Sequence, residues 1–270
     1  MIGLSTASNP TSLVLAFSML KKLLRSSRVA VGPAYAPAPG SRIYAIGDIH
    51  GCRAELDRLL AMIDADDAQR GLAETSLIFL GDLVDRGPDS AGVIARLMRL
   101  AQERPRVRFL KGNHEELFLH ALGGAKDALR MFCRVGGKET VLSYGVSRAE
   151  YDSLDYPQLA ERMDALVPPE HRAFLEGFED LIVSGDYAFV HAGVRPDVPL
   201  DEQKPSDLRW IRDSFLDHRG AFPKMIVHGH TITPEVDRRP NRIGVDTGAY
   251  ASGKLTAIGI EDCQTWILNT

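Results

Sequence analysis

The sequence predicts an α/β fold with two sheets, and three features of its hydrophobic pattern lead to this prediction. In residues 42–110, short apolar runs typical of strands alternate with segments in which apolar residues recur every three or four positions, as in helices. Residues 114–177 are mostly helical in pattern, and strand-like runs dominate beyond residue 177. The chain therefore combines a repeated strand–loop–helix unit with a helical insertion and a further sheet.

The individual elements follow from apolar runs and from helical spacing. The predicted strands are 43–46, 77–80, 107–110, 181–183, 188–190, 225–227, 242–245, 255–260 and 265–268. Helices between the first three strands carry apolar residues from Leu56 to Ile63 and from Val93 to Leu100. The remaining predicted helices are 115–122, 125–133, 139–144, 157–166 and 208–216.

Residues 1–40 differ in composition from the rest of the chain. A basic segment, Lys21–Arg28, precedes a linker rich in alanine and proline. We interpret these residues as a flexible tail and residues 41–270 as one catalytic domain. The basic segment is most simply a solvated extension, and contact with a membrane surface is the alternative. A further hypothesis is that translation starts at Met19.

Net charge, cysteine content and hydrophobicity limit the binding partners and the cellular setting that we expect. The formal net charge of -4 provides no basic field of the kind that holds a nucleic-acid backbone, so no nucleic acid is expected. The three cysteines, Cys52, Cys133 and Cys263, form no Cys-x-x-Cys pair, which favours a reducing cytoplasm over a disulfide framework. The apolar run 13–17 is too short to span a bilayer, so we expect no stable membrane insertion.

Three short motifs follow directly after apolar runs and carry the chemistry. They are Gly-Asp-Ile-His-Gly at 47–51, Gly-Asp-Leu-Val-Asp-Arg-Gly at 81–87 and Gly-Asn-His-Glu at 112–115. Ligands of open α/β sheets bind beyond the carboxyl ends of the strands, so Asp48, Asp82 and Asn113 are expected to converge. Oxygen and imidazole donors without thiolate suit Mn, Fe or Zn. Two such ions can bind the attacking and the leaving oxygen of a phosphoryl transfer.

Two later strand ends add histidines to this set. His191 follows the run at 188–190, while His228 and His230 follow the run at 225–227. Each block alone also has a structural interpretation: Asp48 can cap a turn, and the glycine before Asn113 can mark one. Together the five blocks indicate a two-metal hydrolytic site.

In this order the five blocks resemble the calcineurin-like metallophosphoesterase superfamily, and within it the bacterial and phage serine/threonine protein phosphatase branch, over about residues 42–262. The resemblance implies a four-layer α/β/β/α sandwich of two mixed sheets with a helical insertion. It also implies two divalent metal ions, with Mn favoured and Fe or Zn as alternatives. The implied ligands of the first ion are Asp48, His50 and Asp82. Those of the second are Asp82, Asn113, His191 and His230, so that Asp82 bridges the pair.

The resemblance gives further roles to residues that bind no metal. His114 is the implied general acid, and Asp85 orients it. Arg86 and Arg212 resemble the guanidinium ligands of the substrate phosphate, a task that suits arginine because it can contact two oxygens at once. The implied mechanism is in-line attack by a hydroxide that bridges the two metals, with His114 protonating the departing oxygen.

Three positions leave alternatives open. Arg212 can instead form a surface ion pair with Asp213 or Asp217. The residue two beyond His230 is Ile232, so the Gly-His-x-His pattern of many related phosphodiesterases is absent. His228, which precedes the glycine, is therefore interpreted as a packing or supporting residue more than as a ligand.

The expected substrate class is based on the residue type at position 85. Symmetrical dinucleoside tetraphosphate hydrolases tend to have alanine at this position, whereas the protein phosphatases have the Asp-Arg pair found here. We therefore expect a phosphoric monoester hydrolase, a serine/threonine or dual-specificity protein phosphatase, acting on a phosphorylated protein or a small phosphorylated substrate. The alternatives are a symmetrical dinucleoside tetraphosphate hydrolase and a catalytically silent metal-binding scaffold.

Overall fold

Two mixed five-stranded sheets form the centre of the computed structural model, which describes residues 35–270. The strands are β1 (Ser41–Ile46), β2 (Glu74–Phe79), β3 (Val107–Phe109), β4 (Ile182–Ser184), β5 (Tyr187–Phe189), β6 (Met225–His228), β7 (Asp237–Arg238), β8 (Arg242–Gly244), β9 (Thr256–Glu261) and β10 (Gln264–Asn269). The first sheet has the order β10-β9-β1-β2-β3, and β1, β2 and β3 are parallel. The second has the order β4-β5-β6-β8-β7, with β5, β6 and β8 parallel.

Helices flank the sheets and fill the insertion. They are α1 (Arg53–Arg70), α2 (Ser90–Glu103), α3 (Asn113–Leu122), α4 (Lys126–Phe132), α5 (Lys138–Ser143), α6 (Arg148–Ser153), α7 (Tyr156–Leu166), α8 (Pro169–Glu176), α9 (Pro205–Trp210), α10 (Asp213–Leu216) and α11 (Ala249–Ser252). In the described part of the chain, no helix combines the length and apolar character needed to cross a bilayer.

The side chains of β1 divide between two apolar layers because successive residues of a strand point to opposite faces. Tyr44 and Ile46 pack with residues of α1 and α2, whereas Ile43 and Ala45 pack with residues of the second sheet such as Phe189. A third buried cluster lies between the second sheet and the helices α9 and α10. These three apolar layers separate four layers of secondary structure, which confirms the predicted α/β/β/α sandwich.

The helix predicted at 208–216 is interrupted in the structure. Ile211 is extended and only 7% exposed, and Arg212 has φ -133° and ψ -102°, so α9 ends at Trp210 and α10 begins at Asp213. Ile211 packs into the third cluster. The break allows this side chain to be buried while Arg212 remains exposed.

The end of the predicted linker contacts the second sheet. The backbone of Ala36 bonds the backbone and the carboxylate of Asp186, and the amide of Ala38 donates to Ser184. Residues 35–40 therefore lie along the β4–β5 hairpin. The basic segment 21–28 and Met19 lie outside the described residues.

Arg42 provides a test of how the first sheet is held to α1. Its side chain is 1% exposed, pairs with Glu261 at 2.8 Å and Asp67 at 2.6 Å, and also donates to the carbonyl of Gly71. Arg42→Met removes the charged partner of both carboxylates and leaves Asp67 only its bond from the hydroxyl of Thr75. We therefore expect it to lower the free energy of unfolding in urea by about 2 kcal/mol or more.

The matched control for this measurement is Arg58→Met, because Arg58 is 60% exposed and pairs with a neighbour on the same helix. We expect a change of about 0.5 kcal/mol or less. Equal effects of the two substitutions would contradict a structural role for Arg42.

Candidate metal centre

The strand-end motifs of both sheets meet at one edge of the sandwich. Asp48 and His50 follow β1, Asp82 follows β2, and Asn113 follows β3. His191 follows β5, and His230 follows β6. All six side chains are at least nine-tenths buried. The parallel direction of the strands within each sheet brings these ends together, as the sequence predicts.

Asp82 lies between two groups of potential ligand atoms. Its Oδ1 is 3.4 Å from Nε2 of His191, and its Oδ2 is 3.6 Å from Nε2 of His50 and 3.9 Å from Nε2 of His114. The described residues accordingly contain one group of His50, Asp82 and His114, and another of Asp82, His191 and His230. This single carboxylate has one oxygen directed to each group, which is the arrangement that a bridging ligand requires.

The atoms of the second group fit a cation better than they fit each other. Nδ1 of His191 is 2.8 Å from the carbonyl oxygen of Leu80, so Nδ1 carries the hydrogen and Nε2 has a free lone pair. That Nε2 lies 3.0 Å from Oδ1 of Asn113 and 3.1 Å from Nδ1 of His230. Nε2 of His191 and Oδ1 of Asn113 are both acceptors, and two acceptors at this distance repel one another unless a positive charge lies between them. A borderline divalent metal ion satisfies both.

The histidines of the centre are in the protonation state that metal binding requires. Burial lowers the pKa of His50 to about 3 and that of His230 to about 2, and it lowers the pKa of His191 in the same direction. These imidazoles are therefore neutral at neutral pH and have lone pairs available for coordination.

Asp48 occupies a different position from the other predicted ligands. Its two carboxylate oxygens lie 3.2 and 3.0 Å from the backbone nitrogen of His230, which donates to them. A Cβ on Gly229 would lie 2.1 Å from Oδ1 of Asp48, so only glycine fits there. Burial, followed by the nearby charge of Asp246, raises the pKa of Asp48. A bound cation would favour the charged form of this carboxylate.

His114 has a buried carboxylate partner. Its Nδ1 is 2.6 Å from Oδ2 of Asp85, and the hydroxyl of Thr140 donates to the other oxygen of Asp85 at 2.7 Å. Burial lowers the pKa of His114, but the charges of Asp82 and Asp85 outweigh it and raise the value above normal. Thr140 thus fixes Asp85, and Asp85 fixes the orientation of the imidazole.

Arg86 and Arg212 lie beside the centre at different depths. The two Nη atoms of Arg86 are each 3.0 Å from an imidazole Nε2, one of His50 and one of His114. Arg212 is exposed, and its positive charge contributes to the lowered pKa values of His191 and His230. Among the described residues, Arg212 has no carboxylate within 4.0 Å, so the alternative surface ion pair is not formed.

Several residues of the centre have backbone conformations that side chains rarely adopt. The non-glycine residues with positive φ include His50 (45°), Asp82 (51°), Asp85 (72°), Arg86 (69°) and His230 (63°). Such conformations cost free energy and persist only where surrounding contacts hold them.

Glu115 supplies the contacts that hold the Asp82 loop, and the sequence did not reveal this role. Its buried carboxylate accepts the backbone N–H of Asp82 at 2.8 Å, Leu83 at 2.7 Å and Gly112 at 2.9 Å. The signal available in the sequence was a glutamate three residues after Gly112, the spacing of a helix-capping residue. Its partners at 82–83 are visible only in the fold.

His228 and Asp246 are buried near the centre but outside both ligand groups. His228 bonds the carbonyl of Gly229 through Nδ1 and packs edge-on against Phe215 with ring centroids 5.0 Å apart. Asp246 accepts the N–H of Gly248 at 2.8 Å, which matches a turn.

Comparison with known proteins identifies the family of this chain and several relatives. The family model for calcineurin-like phosphoesterases matches residues 41–255. A bis(5'-nucleosyl)-tetraphosphatase PrpE, designated asymmetrical, from Anoxybacillus flavithermus is 29% identical over 240 residues, covering 82% of this chain and 91% of that protein. A symmetrical bis(5'-nucleosyl)-tetraphosphatase from Janthinobacterium sp. is 26% identical over 265 residues, covering 82% and 94%.

Solved structures show the same fold. A protein described provisionally as a diadenosine tetraphosphatase aligns with a TM-score of 0.59 and 22% identity, over 87% of this chain and 98% of that one. A cold-active protein tyrosine phosphatase aligns with a TM-score of 0.53 and 19% identity, over 86% and 81%.

The prediction of a serine/threonine protein phosphatase is wrong. The curated relatives that align with 82% of the chain are named tetraphosphatases, not protein phosphatases. The prediction relied on Asp85, but this side chain is 0% exposed and bonds only within the protein, to His114 and Thr140. A side chain that is fully buried and bonded to His114 and Thr140 is a poor indicator of substrate class, because its contacts lie within the protein.

The buried His228 predicts a pH dependence of stability. Burial lowers its pKa to about 4 in the folded protein, from an ordinary value of 6.5. The unfolded chain therefore binds an additional proton between these values, so the stability that the neutral ring contributes is present above pH 6.5 and lost as the pH falls towards 4.

Glutamine does not titrate, so His228→Gln should not lose this stability at low pH. We expect its unfolding free energy minus that of the unsubstituted protein to be about 3 kcal/mol larger at pH 4 than at pH 7, measured in urea without metal. The control is His120→Gln, which changes an exposed residue. A difference between His228→Gln and the unsubstituted protein that stays constant with pH would contradict the prediction.

Proposed function

We propose that this chain, which belongs to the calcineurin-like phosphoesterase family, is a metal-dependent hydrolase that cleaves bis(5'-nucleosyl) tetraphosphates. The observation that carries the proposal is the similarity to tetraphosphatases, which covers 82% of this chain and 91% and 94% of the two relatives described above. The relatives include both symmetrical and asymmetrical enzymes, so the proposal concerns the substrate class and not the bond that is cleaved.

The proposed centre holds two divalent metal ions. The first set of ligands is Asp48, His50 and Asp82, and the second is Asp82, Asn113, His191 and His230. When bound, the ions lower the pKa of a water molecule and neutralise charge on the phosphate. Imidazole and oxygen donors without thiolate fit Mn, Fe or Zn, and we propose Mn as the first ion to test.

The protein's own residues bind and protonate the substrate. Arg86 and Arg212 present guanidinium groups that can each contact two phosphate oxygens. When Arg86 turns towards a phosphate, Nε2 of His114 loses that neighbour and can carry the proton that the departing oxygen receives. Asp85 keeps the other nitrogen of this imidazole occupied throughout.

A side-by-side assay tests the proposed substrate class. Purified protein with Mn is offered diadenosine tetraphosphate, phosphoserine and phosphotyrosine peptides and an aryl phosphate, and kcat/KM is measured for each. We expect the highest value for the tetraphosphate, and chromatography of the products then shows whether cleavage is symmetrical. A higher value for any phosphopeptide or for the aryl phosphate would overturn the proposal.

Asp82→Asn tests the bridging position. An amide offers one neutral oxygen where the carboxylate offers two charged ones, so we expect fewer metal ions per chain and a kcat at saturating Mn at least about a hundredfold lower. Metal content by atomic emission and turnover are the measurements. The control is Asp57→Asn on the surface of α1, which should change neither. Unchanged metal content in Asp82→Asn would refute the assignment.

His114→Asn tests the proton donor through the leaving group. A nucleotide phosphate leaves with less need of a proton than an alkoxide does, because it is a much weaker base. We therefore expect kcat to fall about a hundredfold for diadenosine tetraphosphate and further for an alkyl phosphate. An equal loss for both compounds would indicate that His114 acts in binding and not as an acid.

A further inference from the structure

Tyr250 lies at the mouth of the metal centre and has no part in the roles described so far. Its side chain is 40% exposed. The ring meets that of His50 edge-on, with centroids 5.5 Å apart and planes at 85°. The guanidinium carbon of Arg86 lies over the ring, 5.0 Å from its centroid. Tyr250 therefore contacts one proposed metal ligand and one proposed phosphate ligand while part of its surface remains open.

The backbone holds Tyr250 in this place. Gly248, with φ 67°, directly precedes the short helix α11, and its N–H donates to Asp246. The amide of Thr233 donates to the carbonyl of Asp246 at 3.0 Å, which joins the loop after His230 to the same turn. The exposed Tyr250 is thus anchored to the segments that form the centre.

Ile232 extends the apolar surface beside this turn. Its side chain is 47% exposed, and its Cγ2 would lie 3.0 Å from a Cβ placed on Gly248. Single exposed apolar residues are common on protein surfaces. Here Tyr250 and Ile232 lie on adjoining loops, and Arg86 is next to Tyr250. A nucleotide combines a flat base with a charged phosphate, so such a surface matches it.

We propose that Tyr250, with Ile232 beside it, stacks against a nucleobase of the substrate and so selects nucleotides over simple phosphate compounds. This inference rests on the proposed function, since it assigns the base of the same substrate. The edge-on contact with His50 and the anchored turn at Gly248 restrain the ring, so little conformational freedom is lost when a base stacks on it. Base–aromatic stacking tolerates different bases because every base has a π face.

Two ligands that differ only in the nucleoside test the inference without requiring turnover. Calorimetry measures the dissociation constants of AMP and of inorganic phosphate for the Mn-loaded protein. In Tyr250→Leu, which keeps apolar bulk against His50 and Arg86, we expect AMP to bind about tenfold more weakly and phosphate to bind as before. Tyr250→Phe should bind AMP like the unsubstituted protein.

Tyr156→Leu is the matched control, because Tyr156 is 48% exposed on α7 in the helical insertion and has no proposed role. It should leave both constants unchanged. Equal weakening of AMP and phosphate in Tyr250→Leu, or equal affinity of AMP in all variants, would overturn the inference.

The outcome is distinguishable from failure of the proposed function. If Tyr250→Leu loses only AMP affinity and diadenosine tetraphosphate is not cleaved, the nucleobase site stands and the proposed substrate is wrong. If the tetraphosphate is cleaved with the same kcat/KM by Tyr250→Leu and AMP affinity is unchanged, the substrate stands and the nucleobase site is wrong.

Discussion

The position of the Asp82 carboxylate is the constraint on which the rest of the centre depends. Its two oxygens face histidines on opposite sides, and its backbone is held at φ 51°. Glu115 maintains this conformation by accepting the N–H groups of the loop, and burial together with the charge of Asp82 raises the pKa of Glu115 to about 7. Gly112 completes the arrangement, because a Cβ there would lie 2.1 Å from Oδ1 of Asp82.

The two sheets share responsibility for the centre. The first sheet supplies Asp82, whereas His191 and His230 come from the second, so the apolar layer between the sheets sets the distance between ligands. Contacts further out position the segment that carries Arg212. Arg209 lies near the end of α9, two residues before Ile211, and pairs with Glu116 of α3 at 2.8 Å. The segment that carries Arg212 is thereby tied to the helix that carries His114.

The residues proposed for proton transfer and those proposed for substrate selection occupy different depths. Asp85 and His114 are nearly fully buried, and Asp85 contacts His114 and Thr140 within the protein. This is why the Asp85 position misled the sequence-based choice of substrate. Tyr250 and Ile232, proposed to contact the nucleobase, are exposed beside the centre, and these residues gave no recognisable pattern in the sequence.

The sequence by itself determined the mixed α/β class and the positions of the strand-end motifs, because hydrophobic periodicity and short motifs are local signals. The four-layer arrangement and the candidate ligand set followed from the resemblance of these motifs to the calcineurin-like superfamily. Tertiary structure alone decided that the helix near 208–216 breaks to bury Ile211 and that Glu115 and Thr140 support Asp82 and Asp85. These effects depend on contacts between residues far apart in the chain: 33 positions separate Glu115 from Asp82, and 55 separate Thr140 from Asp85. Contacts between residues this far apart in the sequence form only when the chain folds, and no local sequence pattern encodes them.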